Sequence, residues 1–372
     1  KNVCAAAAGR ALKTEKASVS IDIKGKPMMT REDILHLELA AVQKAQAKVA
    51  EKHDEKTSRH LYCVGYSVLF YRLDGEEIGN LIDQQGDEAS VEIIATFLPR
   101  IVVESLIAAL HRSDLELGAL TLEPIAAINV LIPPTMRRLN VALVDIGAGT
   151  SDIAITDSGT VIAYGMVPIA GDEITEALSD HYLLDFPLAE KAKKELNTKD
   201  MITITDILGM ETTVPKEEMI SAVSDAVDRL AEAICNEIYI LNGNKSPKAV
   251  MLIGGGSLTP QLPEKIAEKL NLPYSRVAVR GLDAISSLTL SENISKGPEL
   301  ITPIGIAISA QKNPIQYVSV HVNGEPVRLF EVNSLTVGDC LLAAGIKISK
   351  LYGKPGMAKV ITINGQIGRA HV

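Results

Sequence analysis

The stretch LVDIGAGTSDIAI, Leu143 to Ile155, constrains the fold more than any other part of this chain. Its flanks, VALV and IAI, are apolar and β-like, so both are expected to be buried strands. Between them lie two glycines and a run of short polar side chains, the chemistry of a tight turn. A plain hairpin requires only Asn-Gly or Asp-Gly, and this turn is richer than a chain reversal demands. Gly147 and Gly149 lack a Cβ, so the N–H groups of Gly147, Ala148, Gly149, Thr150 and Ser151 can converge on an anion. Asp145 and Asp152 would flank that anion with carboxylates, as a phosphate-bound Mg2+ requires. An ordinary glycine-containing hairpin is the alternative; the phosphate loop is the reading favoured here.

A second cluster, LIGGGSLTPQLPEKI (252–266), sets Gly254, Gly255, Gly256 and Ser257 between a buried strand and a helix. Such a turn lets a ligand lie flat against the backbone, and it stands at the carboxyl end of a strand, where open α/β sheets bind ligands. A structural strand-to-helix turn explains it as well. Taken together, the two clusters suggest half-sites closing on one nucleotide. Between them, Glu190 and Lys193 are three apart on one helix face in AEKAK. Alone, that pair reads as a surface ion pair.

The chain of 372 residues is long enough for two or three domains. It has no tryptophan and few aromatics, so its core must be built from Ala, Val, Ile and Leu, as in many α/β proteins. A net charge of −9 argues against general nucleic-acid binding. The scattered Cys4, Cys63, Cys235 and Cys340 form no metal-binding pattern and suit a reduced, cytoplasmic setting. No apolar run reaches membrane-spanning length. The start at Lys1, already in an apolar run, reads as lacking upstream sequence. The terminal IGRAHV (367–372) resembles translated sequencing adapter and is set aside as an artefactual tail.

Residues 17–23 alternate like a strand, and Thr30 with Asp33 resembles a capping box opening a helix over 31–52. LYCVGYSVLFYRLDG and ASVEIIATFL follow as strands, so that 17–97 has strand–helix–strand–strand order and the size of a small inserted domain. Helices are expected over 99–112, from Pro124 to 131, and over 171–184, 187–196, 216–242 and 260–270. In the long helix 216–242, the stripe from Ile220 to Leu241 marks a core face. ITPIGIAISAQ is a short apolar helix. From Ile315 the texture changes to a hairpin around Asn323-Gly324, a helix over 336–345 and the strand KVITING, the start of a β-grasp-like segment.

The order of these motifs resembles the actin-like ATPase superfamily that includes Hsp70, actin and FtsA. VDIGAGTSDIAI is similar to its second phosphate motif and MLIGGGSLTPQL to its adenosine motif. LEPIAAI and TPIGIAIS resemble its two connecting helices, and AEKAK the helix that brings Glu and Lys to the adenosine. The inserted strand–helix–strand–strand unit resembles the SHS2 module of FtsA and the pilus protein PilM. The likeness covers about residues 1–312; the first phosphate motif is absent, and Ala148 stands where glycine is usual.

The resemblance implies an α/β, two-lobed actin-like (ribonuclease H-like) ATPase fold. Lobe I is expected over 1–16 and 98–170, the SHS2-like insertion over 17–97 and lobe II over 171–312. The β-grasp-like segment spans 313–366. ATP with Mg2+ is the implied ligand, and hydrolysis is at most slow. Asp145, Thr150 and Asp152 are the implied catalytic residues, with Asp145 touching Mg2+ through water. Gly147 to Ser151 would hold phosphates, while Gly254 to Ser257, Glu190 and Lys193 would frame the adenosine. Glu123-Pro124 is a candidate hinge or an ordinary helix start. The implied role is an FtsA-type scaffold or filament in bacterial cell division, at the inner face of the membrane through indirect attachment. Its implied partners are further copies of itself and a division or pilus-assembly protein, reached through the insertion. A PilM-like pilus role is the nearest alternative. An Hsp70-like chaperone would need a β-sandwich after residue 312, and a sugar kinase carries its insertion elsewhere.

Overall fold

The computed structural model describes residues 2–7, 12–52, 61–133, 135–285, 288–289, 291, 296–312, 317–322, 324–330, 337, 340, 359–363 and 366–370. They fall into two units, 1–314 and 315–372.

The first unit is organised on a five-stranded sheet. Its strands are β7 (Val141–Ile146), β8 (Ser151–Asp157), β9 (Thr160–Val167), β12 (Ala249–Ile253) and β13 (Val277–Val279), in the order β13-β12-β7-β8-β9. β12 is parallel to both β13 and β7, whereas β7, β8 and β9 form an antiparallel meander. The β8–β9 hairpin turns on Ser158 and Gly159, both at positive φ, the geometry a two-residue loop demands. Side chains alternate across this sheet. Ala142, Val144, Ile153 and Ile155 face a core built with α6 (Lys216–Leu241), whose buried Val223, Val227, Leu230, Ile234 and Ile238 lie on the expected stripe. Leu143 and Ala154 face the other way, toward Ile128 and Leu131 of α3 (Glu123–Leu131). Asp145 and Asp152 share the parity of Leu143 and Ala154, so the strand pleat sends both acids to the α3 side.

On that side α3 crosses α8 (Ile301–Lys312). The crossing is close because Gly305 has no side chain: a Cβ there would lie 2.5 Å from the Ala126 carbonyl oxygen. β6 (Glu116–Leu122), which leads into α3, pairs in parallel with β1 (Asn2–Ala7). This strand was not read from ELGALTL, whose glycine and weak alternation hide it; parallel pairing with an alanine-rich partner supplies what local pattern lacks.

The strand–helix–strand–strand segment forms its own antiparallel sheet. β2 (Lys13–Asp22), β3 (Leu61–Leu73), β4 (Glu76–Ile78) and β5 (Glu88–Pro99) take the order β2-β5-β3-β4. α1 (Arg31–Lys52) packs on β2 and β5 with Ile34, Leu37, Ala41, Ala45 and Val49 buried. The capping box is present: the Asp33 side chain accepts from the Thr30 N–H at 2.8 Å, and the Thr30 hydroxyl accepts from the Asp33 N–H at 3.2 Å. α2 (Arg100–Arg112) follows β5. The sheet does not stand apart from the rest. Leu69 and Ile94 belong to the same core as Leu143 and Ala154, and the Thr160 hydroxyl donates to the Val68 carbonyl at 2.5 Å.

Two of the expected boundaries coincide with described elements. β2 begins at Lys13, so residue 17 falls inside a strand. β7–β9 share one sheet with β12 and β13, so a lobe division at residue 170 would cut through that sheet.

The remaining elements are α4 (Gly171–Tyr182), α5 (Phe186–Glu195), the hairpin β10 (Met201–Thr205) and β11 (Glu211–Pro215), and α7 (Leu262–Lys269). Among the described residues no helix is long and apolar enough to cross a membrane.

In the second unit, β14 (Tyr317–Val322) and β15 (Glu325–Phe330) form a hairpin with Gly324 at φ +84°. The helix expected over 336–345 lies almost entirely outside the described residues. β16 (Lys359–Ile363) pairs with β17 (Gln366–Ala370), which takes in most of the segment set aside as a tail. Backbone pairing accepts such a segment whatever its origin.

Candidate functional site

Parallel pairing brings the two glycine-rich turns together. β7 and β12 are neighbours with Ile253 opposite Asp145, so both strands run out at the same sheet end and their turns start side by side. This is the carboxyl end of both strands, where α/β sheets leave a crevice. Gly254 has φ +79°, and a Cβ there would lie 2.4 Å from both Asp145 Oδ1 and the Ile146 carbonyl oxygen. At Gly256 a Cβ would meet Ile146 Cγ2 at 2.5 Å and the Gly147 carbonyl oxygen at 3.0 Å. These two glycines let the second turn lie directly on the end of β7. Gly255 differs, because its nearest neighbour would be Glu299 Cβ at 4.0 Å. Ser257 is buried, and its hydroxyl donates to the Gly254 carbonyl at 2.7 Å. That hydroxyl closes the turn.

The first turn is wired differently. The Gly147 N–H donates to the Thr150 carbonyl at 3.0 Å, so the first donor of the expected nest is used to close the loop. The Gly147 and Ala148 carbonyls accept from the Gly171 and Asp172 N–H groups, at 3.1 and 2.8 Å. These bonds satisfy two otherwise orphaned donors at the start of α4 and hold the loop against it. Among the described residues, the N–H groups of Ala148, Gly149 and Thr150 have no protein partner. Ser151 is fully buried, and its hydroxyl donates to the Ile169 carbonyl at 2.9 Å. It anchors β8 to the segment before α4.

Three carboxylates gather beneath the turns. Asp145 and Asp152 are direct cross-strand partners on β7 and β8. Glu123, the first residue of α3, joins them electrostatically. Burial pushes its carboxyl up to about 7, and the charges of Asp145 and then Asp152 add to this. Asp152 is likewise pushed up to about 7 by burial and by Asp145, against the lowering effect of the Thr150 hydroxyl, 3.3 Å away. Asp145 is raised by burial, while a short hydrogen bond from the Thr302 hydroxyl, in the first turn of α8, opposes the rise. Among the described residues no ion pair reaches any of these acids. The sequence offers Glu123 as a hinge or an ordinary helix start and does not single out Thr302; an acid just ahead of Pro124 at a helix start was the available signal for Glu123.

Glu190 and Lys193 are more than a surface pair. Lys193 Nζ lies 2.6 Å from Glu190 Oε2 and donates to the Gly171 carbonyl and the Thr175 hydroxyl, at 2.9 and 2.7 Å. Burial pushes the Glu190 carboxyl up, but hydrogen bonds from Lys193 and Thr175 and the Lys193 charge outweigh it and hold the group below its ordinary value. Gly171 is the junction: a Cβ there would lie 3.1 Å from the Gly147 carbonyl oxygen, 3.3 Å from Lys193 Nζ and 3.8 Å from Gly256 Cα. Thus Asp145, Asp152, Thr150, both glycine turns, Glu190 and Lys193 occupy one neighbourhood. Gly171 and Thr175 were missed, since nothing in PIAGDEIT marks them apart from an ordinary helix start.

Known proteins fit this arrangement. The family model described as "Cell division protein FtsA" matches residues 142–305, from β7 through the first turns of α8. The FtsA of Bacillus subtilis (strain 168) is 24% identical over 170 residues, covering 43% of this chain and 39% of that protein. The FtsA of Agrobacterium fabrum is 25% identical over 326 residues, covering 83% of this chain and 69% of that protein. The chain therefore spans well under half of the Bacillus relative and about two thirds of the Agrobacterium one. Among solved structures, a chain of the "PilM-PilN type IV pilus biogenesis complex" superposes with a TM-score of 0.55 at 20% identity, covering 83% of this chain and 79% of that one. With the two glycine turns at neighbouring strand ends and the α3–α8 crossing, the chain is similar to FtsA from β7 into α8 and shares its fold with the PilM chain.

Proposed function

We propose that this chain binds Mg·ATP at the meeting of its two glycine turns and acts as a nucleotide-dependent scaffold or filament in bacterial cell division. One observation carries the ligand assignment: the buried Asp145 and Asp152 and the half-buried Glu123, without a cationic partner among the described residues, lie near three backbone N–H groups that have no protein partner, in the turn after β7 and beside the end of β12. Anionic phosphate suits the N–H groups, and a divalent cation suits the acids. Among the described residues no three acidic, histidine or cysteine groups are placed to hold an ion by themselves. The donor set therefore fits a cation held largely through water and phosphate oxygens, with Asp145 the contact through water.

When bound, Mg2+ would offset phosphate charge. The N–H groups of Ala148, Gly149 and Thr150 would donate to phosphate oxygens, fixed in place by the anchoring of the loop on α4. Glu123 and Asp152, with carboxyls near neutrality, suit accepting a proton from water, and the Thr150 hydroxyl orients Asp152. Gly254, Gly255 and Gly256 offer a flat backbone surface to the nucleoside, with Glu190 and Lys193 at its edge. Chemistry of this kind is mainly positioning, so turnover should be slow and the nucleotide should act chiefly by favouring one conformation.

The cell-division role rests on the match to the FtsA family model and on FtsA relatives from several bacteria. Self-association through the β2–β5 sheet, and a place beside the membrane reached through a partner, belong to the same proposal. Calorimetry on the full-length gene product tests the ligand: saturable binding of Mg·ATP, tighter than Mg·ADP and weakened by chelator, is expected. No heat with millimolar Mg·ATP would sink the assignment. Sedimentation with and without Mg·ATP tests the scaffold role, and assembly indifferent to nucleotide would count against it.

A further inference from the structure

The Thr302–Asp145 hydrogen bond joins two residues 157 positions apart and connects the second crossing helix to one of the site's two buried acids. Asp145 is held from both sides. Its Oδ2 accepts from Thr302, and its Oδ1 lies against Gly254, where even one added carbon would come within 2.4 Å. Thr302 is half-buried in the first turn of α8, and Gly305, one turn later, is pressed on the Ala126 carbonyl of α3. The position of the Thr302 hydroxyl therefore follows the α3–α8 crossing. We propose that Thr302 is a positioning residue that aims the Asp145 carboxylate at the cation and makes that aim depend on how α8 sits on α3. This rests on the Mg·ATP reading above.

Thr302 acts through Asp145 alone. The hydroxyl fixes which carboxylate oxygen remains available for a metal-bound water, and the β-branched side chain limits its own rotation. If α8 shifts along α3, the donor leaves and Asp145 is free to turn. Cation affinity would thereby be tied to the arrangement of the crossing helices, with no change in the residues that hold phosphate.

The test uses the full-length gene product as wild type, Thr302→Val and Thr302→Ser. Valine keeps the shape and removes the donor; serine restores the donor. The readout is the Mg2+ concentration giving half-maximal enhancement of fluorescent ATP-analogue binding, beside binding of the same analogue in chelator and a urea melt. Thr302→Val should raise the half-maximal Mg2+ concentration about tenfold to a hundredfold, the effect of one lost hydrogen bond to a charged group, while binding in chelator stays unchanged. Thr302→Ser should return it to within about twofold of wild type. An unchanged Mg2+ dependence in a folded Thr302→Val protein would overturn the proposal. So would an equal loss in chelator, or a serine variant as impaired as valine. Failure of the wild type to bind the analogue at all would count against the Mg·ATP reading itself, and with it this inference.

Discussion

The two glycine-rich turns end neighbouring strands and read alike in sequence, yet their glycines answer different steric demands. At 254–256 the demand is internal: side chains on Gly254 or Gly256 would drive into the end of β7, and Gly254 also needs a left-handed backbone. At Gly147 the demand is nearly absent within the protein. A Cβ there would meet only the Thr150 carbonyl oxygen, at 3.3 Å, and φ is not positive. A glycine that the protein's own packing does not require is the better marker of space kept for a ligand. Packing shapes one turn and leaves the glycine of the other unexplained.

The sharpest way to break this comparison is Gly254→Ala. Clash with Asp145 and the Ile146 carbonyl, added to the left-handed backbone, should destabilise the fold by about 3 kcal/mol or more. A urea melt showing a loss below about 1 kcal/mol would show that the second turn is not built by packing. Gly305→Ala should come next, at about 2 kcal/mol, because the helix crossing must open to admit a methyl group facing the Ala126 carbonyl.

Asp152→Asn should change stability with the opposite sign. Asp152 titrates at about 7 in the folded chain, against about 3.9 for an unperturbed group. The folded state therefore holds its proton more tightly than the unfolded state does. The contribution of Asp152 to stability is greatest below pH 4 and declines as pH rises through 7. Removing the charge should stabilise the ligand-free protein at pH 8 by about 1–2 kcal/mol and flatten its thermal-melt profile between pH 4 and 7. A variant less stable than wild type at pH 8 would contradict the crowding of acids. The smallest effect on folding belongs to Gly147→Ala, expected within about 1 kcal/mol of wild type by the same melt.

Local chemistry made much of the site legible. Strand, glycine turn and acid stood in one heptapeptide, and the long helix declared its buried stripe by spacing alone. What stayed hidden depends on pairings between distant segments. The register of β7 with β12, about a hundred residues later, decides that the glycine turns adjoin. The pleat sends Asp145 and Asp152 toward α3, yet only the fold shows that Glu123 opens α3 beneath them. Gly171 and Thr302 carry no local mark, because each gains its role from atoms far away in the chain. Ser151 and Ser257 are buried, and only the fold shows that both hydroxyls are consumed by nearby carbonyls. The inserted sheet looked separable by length and order, but its bonds to β9 and its shared core arise from tertiary contact that pattern cannot report.

The most direct test is a calorimetric titration of Mg·ATP into the full-length gene product and its Gly147→Val variant, each first shown to melt cooperatively. A β-branched side chain at 147 would fill the space beneath the free N–H groups of 148–150. Saturable binding to wild type with at least about a tenfold loss in the folded variant is the predicted result. Equal affinity in the two proteins would contradict the assignment of this turn to phosphate.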